Sequence, residues 1–164
     1  MVAFTPARPV GCRACGKRAI SFEPLKECEA ELRALVRNEL DPELTRAAVK
    51  VLAARVWELI MSVRTGDVEF GGKVPGGRVI ERHDCIYELR PQQGKGMVVV
   101  RDLRLYCGEP ALQEGIALGL HLATKPHGQQ DKAGEQNRAI DEAVTRAGRW
   151  ELALRRSMMH DSMS

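Results

Sequence analysis

The spacing of apolar residues changes from a helical to a strand period in the first half of this chain, and that change constrains the fold more than any other feature. Between residues 26 and 63 the apolar residues recur every three to four positions, as on one face of a helix. Between residues 78 and 124 they recur at every second position, as in a half-buried strand. We therefore expect an α+β domain, in which a helical part leads into a sheet.

Two helices are predicted in the first part. The first covers residues 26–40 and ends before Asp41. Asp41, Pro42 and Glu43 then form a start signal for the second helix: an N-cap, a proline at the first helical position and an acid in the first turn. Gly66 is expected to close this helix. Because the connection is short, the two helices should form an antiparallel hairpin.

Three strands are predicted after a glycine-rich loop at residues 66–77. Short turns join them, so they should form an antiparallel meander. A closing helix is predicted from Glu135 to Ala147, ended or interrupted by Gly148. The predicted strands comprise residues 79–80 with 85–90, residues 97–107, and residues 116–124.

The alternating pattern predicts that one face of this meander lies on the helices and the other faces solvent or a partner. In the third strand, His121 should lie opposite the leucine face and beside Arg104 of the second strand. The leucine face is expected to comprise Ile116, Leu118, Leu120 and Leu122.

The 164 residues suit a single domain. We divide them into an irregular N-terminal arm at 1–25, one α+β domain at 26–156 and a flexible tail at 157–164. Five cysteines, an odd number, argue against a secreted disulfide scaffold. The N-terminus has no signal-peptide pattern and no apolar run is long enough to span a membrane, so we expect a soluble cytoplasmic protein. The net charge of +3 permits a nucleic-acid partner without requiring one.

Cys12 and Cys15 form a CxxC pair that resembles half of a zinc knuckle. A structural zinc ion needs four ligands, and the sequence has no second pair of this kind. Cys28 is the nearest further thiol, so a zinc site would need Cys28 and one more donor. We expect no other cofactor.

Three short strings carry a resemblance to a known family: residues 86–90 (IYELR), residues 103–107 (LRLYC) and residues 118–125 (LGLHLATK). Together they resemble the RelE/ParE toxin superfamily, and most closely its HigB-like, phage-derived branch. Residues 86–90 (IYELR) look like the family's "(W/Y)ELR" strand. Residues 103–107 (LRLYC) look like its "YRVLY" strand, and residues 118–125 (LGLHLATK) like its "VLLHGFxKK" strand. The helix around 138–141 is similar to its "EIERA" helix, so the resemblance covers roughly residues 40–150. It implies a helical hairpin, a meander and a closing helix.

The resemblance also implies an activity, because the ribosome-dependent members of the family cut mRNA. In that reaction a ribose 2′-OH attacks the adjacent phosphate, which requires a base, an acid and cations. Arg90 and Arg104 would hold phosphate oxygens. His121 or His127 would carry a proton near neutral pH, and Lys125 would add positive charge.

Two further residues are implied to bind RNA: Arg101, and Tyr106 by stacking on a base. The alternative for an arginine on a strand is a solvated or salt-bridged group. The partners implied are the ribosome, mRNA and a neutralising antitoxin, with no membrane. The second hypothesis is a non-catalytic protein-binding effector on the same fold, such as a ParE-like gyrase inhibitor or a phage-encoded host-takeover factor. Convergence of the cationic residues would favour the enzyme.

Overall fold

The structure is a computed structural model. It describes residues 21–66, 73–74, 77–83, 86–92, 101–110, 113, 115–127 and 134–161. The elements in chain order are β1 (Ser21–Pro24), α1 (Lys26–Val36), α2 (Arg46–Thr65), β2 (Lys73–Val74), β3 (Gly77–His83), β4 (Ile86–Pro91), β5 (Arg101–Gly108), β6 (Ile116–Pro126) and α3 (Glu135–Asp161).

The strands form one sheet in the order β1-β6-β5-β4-β3-β2. From β3 to β6 each strand pairs antiparallel with the next, as in a meander. β1 pairs parallel with β6 and covers only its first half, from Ile116 to Gly119. β2 is only two residues long. The α+β class is thus confirmed, whereas the predicted three-strand meander is wrong in its number of strands.

The end of α1 shows why the first helix is shorter than predicted. Asn38 adopts a left-handed conformation with a φ of 61°. Its backbone N–H donates to Leu35 O, and the N–H of Glu39 donates to Ala34 O. These two bonds form a Schellman motif, which satisfies the last carbonyls of the helix and turns the chain away.

The second helix begins at a different cap from the one predicted. Thr45, not Asp41, is the N-cap, and its hydroxyl oxygen accepts a hydrogen bond from the Ala48 N–H. The Asp41 carboxylate instead accepts from the Glu43 N–H in the turn before the helix. Gly66 closes α2 with a φ of 76°, as predicted.

Helices cover both faces of the sheet. One core, here the α1/α2 core, joins the two helices to alternate residues of β4, β5 and β6, such as Leu89 and Leu105. The other, the α3 core, joins Ala143 and Ala147 of α3 to the opposite face, including Leu118. The prediction of one open face is therefore wrong, because α3 lies across it.

A β-bulge in the β5–β6 pairing changes which side chains share a face. Tyr106 lies opposite His121, but the next pair is Cys107 with Gly119. Leu120 is therefore an extra residue in β6, and the alternation of inward and outward side chains shifts there by one position. The strict period-two pattern assumed from the sequence cannot anticipate this shift.

Two predictions about β6 are wrong, the first because of the bulge and the second because of the register before it. Leu122 packs in the α1/α2 core, whereas Leu118 packs in the α3 core, so the predicted leucine face is divided. Arg104 lies opposite Ala123 rather than beside His121.

Three element boundaries also differ from the prediction. Residues 79–80 and 85–90 are predicted to form one strand, but residues 79–80 lie in β3 and residues 86–90 lie in β4, which pairs antiparallel with β3. α3 continues past Gly148 to Asp161, so it includes the start of the predicted tail. β1 lies within the predicted irregular arm. The predicted features at residues 1–20 and 93–100 lie outside the described residues.

Candidate functional site

Glu88 on β4 holds two of the predicted arginines. Its side chain is fully buried. Arg90 donates a hydrogen bond from Nε to Glu88 Oε1 at 3.0 Å, and Arg104 Nε lies 2.8 Å from the same oxygen. The Arg104 contact is an ion pair without hydrogen-bond alignment. One buried carboxylate therefore fixes the position of both guanidinium groups.

Asp102 continues this chain of contacts toward solvent. Arg104 Nη2 donates to Asp102 Oδ2 at 3.0 Å, and His127 Nδ1 lies 2.6 Å from Asp102 Oδ1. Arg104 is 4% exposed, whereas the His127 side chain is 49% exposed. A buried cation thus positions the carboxylate, and the carboxylate orients a half-exposed imidazole.

The first turn of α3 closes this group of side chains. Lys125 lies opposite Asp102 in the β5–β6 register, and its Nζ donates to Gln136 Oε1 at 3.4 Å. The amide nitrogen of Gln136 in turn donates to Glu88 Oε2, also at 3.4 Å. We call this group the arginine–carboxylate cluster; its ionisable members are Glu88, Arg90, Asp102, Arg104, Lys125 and His127.

The cluster carries more positive than negative charge. Three permanently cationic side chains face two carboxylates, before any proton on His127 is counted. Burial lowers the pKa of Arg104; Glu88 opposes this effect and the neighbouring Arg90 adds to it. The two arginines therefore repel each other across the carboxylate they share. An anion placed beside them would relieve this repulsion.

His121, the remaining predicted catalytic residue, lies in a different network. Its Nδ1 is 2.9 Å from Glu31 Oε1 of α1, and its side chain is 17% exposed. Its ring stacks on Tyr106 with the ring centroids 6.2 Å apart. Four of the five predicted catalytic residues therefore come together, and His121 does not join them.

Glu31 and Arg146 form a largely buried ion pair that was not predicted from the sequence. The pairing of β1 with β6 ends at Gly119, and beyond that point no strand among the described residues pairs with this edge of β6. Glu31 accepts a hydrogen bond from the Leu122 N–H, and Arg146 of α3 donates to Leu120 O and to Glu31. Burial alone would raise the pKa of Glu31, but these bonds hold it below its usual value. The signal available in the sequence was Arg146, an arginine on the apolar face of the closing helix, which indicates a buried acidic partner.

The two predicted RNA-binding residues have structural contacts. Arg101 forms ion pairs with Asp41 at 2.9 Å and Glu135 at 3.0 Å, and donates to Thr124 Oγ1. It therefore ties β5 to the α1–α2 connection and to α3. Tyr106 is 1% exposed beneath α3, where an RNA base cannot reach it, so its predicted stacking role is wrong.

The cysteine pair of the zinc hypothesis, Cys12 and Cys15, lies outside the described residues. Cys28 is fully buried in the α1/α2 core. Burial raises the pKa of its thiol well above the usual value, which opposes the thiolate form that binds metal. Among the described residues, no three His, Cys, Asp or Glu side chains group in a way that could hold a metal ion.

A separate apolar groove lies between α1 and α2 on the outside of the molecule. Its volume is about 490 Å³, and Phe22, Leu32 and Ile60 contribute to its lining. Val36 is 65% exposed and Trp57 is 55% exposed at its surface. Large exposed apolar side chains that line one concave surface are typical of a protein-binding site.

Comparisons with family models, with curated proteins and with solved structures found no match. Over the described part of the chain, no helix combines the length and the apolar character that crossing a bilayer requires.

Proposed function

We propose that this protein is a RelE/HigB-like toxin that cuts ribosome-bound mRNA and is neutralised by an antitoxin. The observation that carries the proposal is the convergence of Arg90, Arg104 and His127 on two carboxylates at one end of the sheet. Lys125 joins them through Gln136, and it lies opposite one of these carboxylates, Asp102, in the strand register. The excess positive charge suits a phosphodiester substrate. The chain order of two helices, a meander and a closing helix also supports a RelE-like arrangement.

The reaction transfers a phosphoryl group within the RNA chain. A bond forms between the 2′-oxygen and phosphorus while the bond from phosphorus to the 5′-oxygen breaks, which leaves a 2′,3′-cyclic phosphate and a 5′-hydroxyl. We assign His127 as the general base that takes the proton of the 2′-hydroxyl, because Asp102 orients its accessible ring, and solvent water supplies the proton to the leaving 5′-oxygen. Arg90 and Lys125 stabilise the charge on the phosphorane. Arg104 is buried, and therefore acts as a positioning residue for Asp102.

The test is induction of the protein in bacteria, with growth measured and mRNA ends mapped by primer extension. We expect growth arrest and translation-dependent cleavage within the coding sequence. His127→Ala should reduce cleavage by about 10²- to 10⁴-fold, the usual effect of losing a general acid or base. Arg104→Ala is a poor test by itself, because it removes one of the two cations that pair with the buried Glu88 carboxylate and can therefore destabilise the fold.

The matched control is His160→Ala, which removes an exposed imidazole near the far end of α3. About 24 residues of helix, or roughly 36 Å, separate it from the α3 turn at the cluster. This variant should cleave like the wild type. Growth arrest with intact mRNA, or cleavage that His127→Ala leaves unchanged, would contradict the proposal.

A second candidate function is a non-catalytic effector that binds a host protein, as a ParE-like gyrase inhibitor would. The apolar groove beside Trp57 favours it. Arg46, Lys50 and Arg64 lie on the same exposed side of α2 as Trp57, at helical spacing. The chemistry of this surface fits an amphipathic partner helix with acidic residues beside its apolar face.

Substitution separates the two candidate functions. In the effector hypothesis Trp57→Ala abolishes growth arrest, while His127→Ala has no effect and mRNA stays intact. In the enzyme hypothesis mRNA is cleaved, and His127→Ala reduces this cleavage. Ala54→Ser, which changes another exposed position of α2, is the control for Trp57→Ala and should retain growth arrest in either case.

A further inference from the structure

Two arginines lie directly opposite each other on neighbouring strands. Arg78 of β3 pairs with Arg90 of β4 in the antiparallel register. Side chains at such positions point to the same face of the sheet, with their Cβ atoms about 4.5–5.5 Å apart. Like charges placed directly opposite each other destabilise a sheet. A folded chain with this arrangement therefore gains stability from an anion bound between them.

The carboxylate of Glu88 does not neutralise the positive charges of both Arg78 and Arg90. Glu88 is the carboxylate paired with Arg90, and it is shared with Arg104. Arg78 is exposed and makes no ion pair with any other described residue. Three guanidinium groups thus follow one another across β3, β4 and β5, with Glu88 between the last two.

A small pocket lies at the outer end of this row. It has a volume of about 270 Å³ and is lined by Gly77, Arg78, Arg90, Pro91 and Gln92. This volume corresponds to several water molecules at about 30 Å³ each, which is enough space for a phosphate group. A Cβ atom at Gly77 would lie 2.0 Å from the backbone oxygen of Arg90, so the close approach of the strands at the pocket requires glycine.

We propose that Arg78 and Arg90 form a phosphate subsite, which holds the backbone of a single-stranded RNA beside the arginine–carboxylate cluster. The assignment of RNA as the ligand rests on the proposed function. A guanidinium group binds phosphate oxygens through two parallel N–H donors. Two facing arginines therefore offer two such pairs of donors to one phosphate. Arg90 belongs to both the pocket and the cluster, so a strand bound here continues toward Asp102 and His127.

Binding of a labelled RNA oligonucleotide, with 2′-O-methyl groups that prevent cleavage, tests this subsite. Titrations of purified full-length protein over a range of salt concentrations give the affinity and its salt dependence. Arg78→Ala should weaken binding about three- to tenfold at low salt. It should also reduce the slope of log affinity against log salt by about 0.7, the value for one phosphate contact on a single strand. Arg78→Lys should retain the slope while losing part of the affinity.

The matched control is Arg156→Ala, an exposed arginine near the far end of α3 that should leave both quantities unchanged. Equal effects of Arg78→Ala and Arg156→Ala, or no binding of RNA by the wild type, would overturn the inference. Thermal unfolding excludes misfolding, because Arg78→Ala removes a like-charge contact and should not lower stability. RNA binding that depends on Arg78, without mRNA cleavage in cells, would support the phosphate subsite and contradict the proposed ribonuclease activity. Cleavage that depends on His127, with RNA binding unchanged by Arg78→Ala, would support the ribonuclease activity and contradict the subsite.

Discussion

Gly119 of β6 lies against Phe22 of β1 and Cys28 of α1. A Cβ atom at this position would lie 2.6 Å from Cζ of Phe22 and 3.2 Å from Sγ of Cys28. Gly119→Ala should therefore overpack the α1/α2 core and lower the free energy of unfolding by about 1–3 kcal/mol. Urea denaturation followed by circular dichroism measures this change.

A double-mutant cycle shows whether the Phe22 ring causes that loss. Phe22→Leu removes the ring atoms nearest to the new methyl group, so Gly119→Ala should cost less in that background. Gly134→Ala is the control, because its φ of +66° makes alanine unfavourable while no neighbouring atom lies within 4 Å. Its cost should be the same with and without Phe22→Leu. Identical costs of Gly119→Ala in both backgrounds would show that the contact with Phe22 is unimportant.

At the level of single residues, the sequence indicated the cations of the candidate site but not their partners. Arg90 and Arg104 were found from the strings that carry the family resemblance, whereas the carboxylates that hold them, Glu88 and Asp102, were not assigned roles. Which acid meets which arginine depends on cross-strand register and on the position of α3, and neither can be read from one strand. The alternative of salt-bridged arginines describes their geometry correctly.

Among the secondary-structure elements, α2 depends on the cap at Thr45. The Thr45 hydroxyl accepts a hydrogen bond from the Ala48 N–H at 3.2 Å. Thr45→Ala should lower the free energy of unfolding by about 1 kcal/mol, because this N–H loses its acceptor at the start of the helix. Thermal and urea unfolding measure the change, and Thr45→Ser should retain most of the stability. Equal stability of the alanine and serine variants would rule out a capping role.

The elements that the sequence predicted well are those with strong local signals. α2 combines a long apolar stripe with a closing glycine, and β6 alternates regularly until its bulge. The division between β3 and β4 was not predicted because the sequence at residues 84–85, Asp-Cys, contains no glycine, asparagine or proline to indicate that a strand ends there. β1 was missed because its partner, β6, lies more than 90 residues further along the chain. No local pattern encodes such a pairing.

For the whole molecule, two partly buried ionic networks connect layers that the sheet would otherwise separate. Glu31 of α1 reaches Arg146 of α3 around the open edge of β6. Asp41, before α2, is joined through Arg101 of β5 to Glu135 of α3. The sequence predicted the α+β class correctly. It did not predict the second helical layer, because the sheet face on which α3 buries its apolar residues was expected to be exposed.

These networks should make the stability of the whole molecule sensitive to acid. Burial would raise the pKa of Glu31 and Asp41, but hydrogen bonds and neighbouring cations lower both below their usual values of 4.5 and 3.8. A carboxyl group with a lowered pKa stabilises the folded state fully above its unfolded pKa. This contribution is lost as the pH falls through the lower folded pKa. The free energy of unfolding should therefore decrease below about pH 4.5, by up to about 1.4 kcal/mol per pH unit for each group.

Urea unfolding between pH 7 and pH 3 tests this expectation. Glu31→Gln and Asp41→Asn should each lower stability at pH 7 and flatten the acid slope, because the amides carry no charge that protonation can remove. Glu58→Gln, which alters an exposed pair with Arg55 on α2, should keep the wild-type slope. Because the two networks lie in different places and share no residue, the effects of Glu31→Gln and Asp41→Asn should add. An unchanged slope in the double variant would mean that the acid sensitivity arises elsewhere and that the two networks do not hold the layers together.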